Sequence, residues 1–165
     1  MRMNRFRRLA TATMLVSAAT IVAAQPASAQ EHDVELPAGQ GCDFALGLDN
    51  IEGPPLRREF TDRNGNQVRL FAGKSGAVIY TNLDTGKSVS FQSRGTNLRQ
   101  TSATTGTQTF EFSGHVGLVQ FPGDVPPGPS TTQLSGRLVF TTDSGGVTNV
   151  QKVEGNQIDI CARLA

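Results

Sequence analysis

From Cys42 to the end of the chain, apolar residues come in short runs or at every second position, and Gly, Asn, Asp and Pro interrupt them. The interruptions recur at intervals of roughly eight to twelve residues, and no stretch holds a helical period, so the pattern predicts antiparallel β-structure. Cys42, Phe44, Leu46 and Leu48 are spaced to share one face of a first strand. Residues 56–61 and 67–71 flank Asn64-Gly65, a dipeptide that accepts the positive φ angles of a tight hairpin turn. A second hairpin is expected where residues 77–81 and 87–93 flank Asp84-Thr85-Gly86. Weaker or longer runs over 98–103, 109–118, 134–142, 147–153 and 158–161 complete eight or nine strands.

Such a meander closes most simply as a small barrel, with a β-sandwich as the alternative fold. The barrel is preferred because a chain that ties its last strand to its first also closes its sheet edges. Cys161, however, shares parity with Asp159 and not with Ile158 and Ile160, so a plain strand would turn it outward and put a disulfide at the rim. Ser113-Gly114-His115-Val116 and Ser135-Gly136-Arg137-Leu138 look alike, but the likeness is too short to define a repeat.

The chain opens differently. Arg2, Arg5, Arg7 and Arg8 precede an apolar stretch over 9–24, followed by Ala27-Ser28-Ala29. Basic, apolar and small-residue regions in that order read as a cleaved secretory signal over 1–29. The apolar part, at about sixteen residues, is short of the ~20 that a membrane-spanning helix needs. Residues 30–40 carry no period and read as a flexible leader, which leaves 41–165 as a single β domain.

Without the signal, eleven basic residues face fourteen acidic ones, and no basic cluster exceeds Arg57-Arg58. A nucleic-acid or anionic-membrane surface is therefore not expected, and no later segment is apolar enough to span a membrane. Cys42 and Cys161 are the only cysteines, and export would place them where thiols pair, so a disulfide between the two ends of the domain is expected.

Three segments carry a resemblance. They are Phe121-Pro122-Gly123-Asp124-Val125-Pro126-Pro127-Gly128-Pro129-Ser130-Thr131-Thr132, then Ser135-Gly136-Arg137-Leu138-Val139-Phe140, then Gly155-Asn156-Gln157-Ile158-Asp159-Ile160-Cys161-Ala162. Together with Cys42-Asp43-Phe44 and the stretch over 81–88, they resemble an uncharacterised group of small secreted actinobacterial proteins. The resemblance implies secretion and a paired first and last cysteine; it implies no activity.

Candidate chemistry is sparse. Gly73-Lys74-Ser75 and Gly86-Lys87-Ser88 end like phosphate-binding loops but lack the earlier glycine, Val68 and Thr81 standing in its place. The two histidines are His32 and His115. His115, near Ser113 on one strand, is the one base available to a small hydrolase, although no nucleophile elbow accompanies it. If cleavage follows Ala29, His32 becomes third in the mature chain, a position suited to a square-planar N-terminal Cu(II) or Ni(II) site. No other cofactor is suggested. The phenylalanines, with no tryptophan beside them, read as core and not as a sugar-stacking platform.

The segment over 121–129 is too rich in proline to supply ladder hydrogen bonds and is expected to be extended, in polyproline form. Pro122, Asp124, Pro126, Pro127 and Pro129 are its candidate contact residues. The first expectation for function is a secreted, non-enzymatic β domain that binds a small apolar ligand or an extracellular protein. The alternatives are the His115 hydrolase and a structural role at the cell envelope.

Overall fold

The computed structural model of the protein describes residues 31–73, 76–92 and 95–165. The expected signal over 1–29 and Lys74-Ser75 of the first loop-like motif lie outside the described residues. Among the described residues, ten strands form two antiparallel sheets. The smaller holds β1 (Val34–Leu36), β2 (Leu46–Asp49), β5 (Ala77–Asn82) and β6 (Ser88–Gln92), in the order β1-β2-β5-β6. The larger holds β3 (Leu56–Thr61), β4 (Gln67–Gly73), β7 (Thr96–Ser102), β8 (Gln108–Gln120), β9 (Ser130–Thr142) and β10 (Thr148–Asp159), in the order β10-β9-β8-β7-β4-β3. The all-β class is as expected; the architecture is the two-sheet alternative, and the expected closed barrel is not formed. The reason is that hairpin β5-β6 leaves the line of the meander and pairs with β2 instead of with its sequence neighbours β4 and β7.

Both expected hairpins are present. Gly65 takes φ 83° in the β3-β4 turn, where the Asp62 carboxylate accepts hydrogen bonds from the amides of Asn64 and Asn66. Gly86 takes φ 74° in the β5-β6 turn. The second loop-like motif is thus a β-turn, as its missing glycine implied.

Two expectations about the chain ends need correction. Residues 30–40 were expected as a flexible leader, yet residues 34–36 form β1 and pair with residues 46–48 of β2. Val34 and Leu36 are packed against the core, a short apolar alternation that two acidic neighbours obscure in the sequence. The last strand stops at Asp159, and Ile160–Leu164 forms a helical turn, α1. Asp159 caps it by accepting from the Ala162 amide at 2.9 Å. Ile160 and Leu164, four apart on one helical face, are both buried. Strand parity therefore does not govern Cys161, which bonds to the buried Cys42 with Cα atoms 5.5 Å apart. The principal core gathers Cys42, Leu46, Leu48, Tyr80, Ile160 and Leu164 between the small sheet, α1 and one end of the large sheet.

The three longest strands fold back on themselves. Asn149 pairs with Thr141, eleven residues along β9 from Ser130, a separation of roughly 36 Å in a straight strand. Val125 is only five residues from Ser130 and reaches at most about 17 Å, yet it bridges Asn149. The strands must bend, and the bend falls on a row of glycines. Gly114, Gly136 and Gly155 are direct cross-strand neighbours near the midpoints of β8, β9 and β10. Gly114 and Gly155 have φ of 105° and 112°, and a Cβ on any of the three would collide with a carbonyl of the adjoining chain. Leu134 and Leu138, two positions either side of Gly136 on its face, are both fully buried inside the bend. The likeness of 113–116 to 135–138 is thus two antiparallel strands crossing one bend.

Candidate functional site

The bend ends β7 early. β7 follows β8 only as far as Asn97 opposite Ser113, and β8 continues for seven residues with β9 alone beside it. Beyond the last β7 pair lies a cavity of about 310 Å³. Val78 and Tyr80 of β5 form one wall, Gly117 and Val119 of β8 another, and Thr96 and Leu98 of β7 one end. Residues 51–53, exposed in the β2-β3 connection, stand at its mouth.

The polar groups here are few and placed. The Tyr80 hydroxyl donates to Gln133 Oε1 at 3.0 Å, and both residues are buried. Burial pushes the Tyr80 phenol up to about 12, so it is a neutral hydroxyl at any physiological pH. Gly117 is opposite Gln133 in the ladder, and a Cβ there would collide with the Tyr80 hydroxyl. The glycine makes room for the tyrosine. Thr96 Oγ1 donates to the His115 carbonyl at 2.6 Å, fastening the end of β7 to β8 at the bend.

No protein-family model, curated protein or solved structure matches this chain. Its reading rests on its own residues.

His115 borders this cavity and a second one of about 350 Å³, with Gln133 shared between the two. Its cross-strand neighbour is Ser135. Ser113, the partner expected for a hydrolase, lies across Gly114 and borders a different depression with Arg99, Glu111 and Arg137. The bend at Gly114 thus separates the two residues that strand parity placed together.

His32 is not in a loose tail. Its imidazole is packed over Gly47, and Nδ1 lies 2.8 Å from Asp49 Oδ2. A square-planar N-terminal site would have to break that bond. Among the described residues, no group of three or more His, Cys, Asp or Glu side chains is placed to hold a metal.

The proline segment is a folded loop and not an extended one. The Val125-Pro126 and Gly128-Pro129 peptide bonds are cis, and Gly128 N–H returns to the Phe121 carbonyl. Asp124, expected as a contact residue, is buried instead. Its carboxylate accepts from the amides of Phe121 and Thr148 at 2.7 and 2.8 Å. Val125 then exchanges main-chain bonds with Thr148 and Val150, covering the start of the β10 edge. Pro122, Pro126 and Pro127 stay exposed on this loop and Pro129 is half-buried, while Phe121 and Val125 present apolar surface outward.

Sequence reasoning missed Tyr80, Gly117 and Gln133. The available signal was Gly117 itself, since a glycine inside an apolar strand marks a close approach by another group.

Proposed function

We propose that this protein is an exported binding protein that holds a small, mainly apolar molecule in the cavity between its sheets. The observation that carries the reading is the cavity's construction: aliphatic and aromatic walls around a buried, neutral Tyr80–Gln133 pair, with Gly117 kept bare beneath it. Apolar lining with a few oriented polar groups is the usual make-up of a small-molecule site. Export is supported by the basic, apolar and small-residue order of the first 29 residues and by the Cys42–Cys161 disulfide, which suits an oxidising compartment. The likeness to small secreted actinobacterial proteins belongs to the same proposal.

Titration with N-phenyl-1-naphthylamine, a neutral dye that fluoresces in apolar surroundings, tests it. Saturable binding to the wild type, lost in Leu98→Trp with an unchanged circular dichroism spectrum, is the expected result. A dye signal that is absent, or is equal in both proteins, refutes the site.

A further inference from the structure

The direction of the β8 backbone says more about the occupant than the apolar walls do. In an antiparallel ladder, the N–H and C=O of one residue point to the same side, and the next residue's point to the other. Two bonds fix that side for β8. In the turn before it, the Ala103 amide donates to the Thr107 carbonyl, so odd-numbered residues of β8 turn toward β7. At the bend, the His115 carbonyl receives Thr96 Oγ1 from β7, so the same parity still holds. Gly117 and Val119 therefore aim their N–H and C=O groups into the lane that β7 leaves at Thr96. Among the described residues, no strand takes up that lane beside them. Gly117 is exposed and carries no side chain of its own, and the Tyr80 hydroxyl lies over its Cα on the face turned to β5.

Resting on the binding reading above, we infer that the cavity's ligand is peptide-like: a short extended segment with apolar side chains that continues the lane of β7 and pairs with Gly117 and Val119. An occupant of this shape meets three features at once. Its amides satisfy the edge groups of β8, its side chains alternate toward Val78 and toward the end of β7 at Leu98, and its length is limited by the Thr96 stopper. Strand addition of this kind draws affinity from main-chain bonds and selectivity from the pockets for alternate side chains. A hydrocarbon or a simple alcohol fills the same space but leaves the β8 edge unmet.

The test uses the wild-type protein with bound N-phenyl-1-naphthylamine. Competitors are a capped tripeptide of valine and leucine, the same peptide methylated on the amide nitrogens of its first and third residues, the two that face β8 when it pairs with Gly117 and Val119, and an aliphatic alcohol of similar size. The capped peptide should displace the dye, and the methylated one should do so about tenfold less well for each main-chain bond lost. The Gly117 and Val119 amides should show slowed hydrogen exchange only with the unmethylated peptide. If the alcohol competes as well as the peptide, or methylation changes nothing, the peptide inference is overturned while the cavity reading stands. If the dye itself does not bind, the cavity reading has failed first.

Discussion

Tyr80 and Gln133 lie 53 residues apart in sequence and on different sheets, and a buried 3.0 Å hydrogen bond joins them over Gly117. Tyr80 is the one tyrosine of the chain, and the chain has no tryptophan, so its ionisation can be followed alone by phenolate absorbance.

The folded phenol, pushed up to about 12 by burial, compares with about 10 when unfolded. Below pH ~10 both states are protonated and stability is unaffected; between ~10 and ~12 only the unfolded state ionises, so stability falls, by on the order of 2 kcal/mol. Urea denaturation as a function of pH should show that alkaline decline. Tyr80→Phe should abolish it, at the expense of about 1 to 2 kcal/mol at neutral pH from the unpartnered Gln133.

A methyl group on the glycine row should be poorly tolerated. Gly136→Ala puts a Cβ against the Glu154 carbonyl, and Gly114→Ala adds an unfavourable φ of 105°. Backbone collisions cannot be relieved by a rotamer change, so each substitution should cost at least ~3 kcal/mol or prevent folding. Gly123→Ala, which meets nothing within 4 Å, serves as the control and should stay within about 0.5 kcal/mol of wild type by thermal denaturation.

Asp124→Ala should release the 121–129 loop from the edge of β10. Two amides, of Phe121 and Thr148, lose a charged acceptor, for a loss of about 2 kcal/mol or more. Hydrogen exchange should quicken at Val125 and Val150, whose main-chain bonds depend on the same register, and stay unchanged in the β3-β4 hairpin.

Replacing Cys42 and Cys161 together by Ser should lower stability by roughly 2 to 5 kcal/mol, because the bond closes a loop with a sequence separation of 119. Equilibrium denaturation of the double variant against wild type measures it; no change would mean the denatured chain is already compact at its ends.

Local pattern carried the hairpins. Asn64-Gly65 and Asp84-Thr85-Gly86 specify turns through their own backbone preferences, and the strands beside them form where alternation predicts. The pairing of Cys42 with Cys161 was likewise legible, since two cysteines in an oxidising setting leave one partner each. The C-terminal helical turn was not, because one turn is too short to show a period, and β1 was hidden by acidic residues alternating with Val34 and Leu36.

The candidate site was legible only in retrospect. Alternation along a strand states which residues share a face, but not which sheet that face meets or where a strand bends. Gly114, Gly136 and Gly155 read singly as turn or bulge residues; only pairing in register makes them one bend, and that bend stops β7, parts Ser113 from His115 and opens the cavity. So the sequence by itself determined the β class, the turns and the closing disulfide, all set by neighbouring residues or by simple chemistry. The tertiary structure decided the two-sheet packing, the folded proline loop and the meeting of Tyr80, Gly117 and Gln133, because each depends on contacts between segments that no local pattern relates.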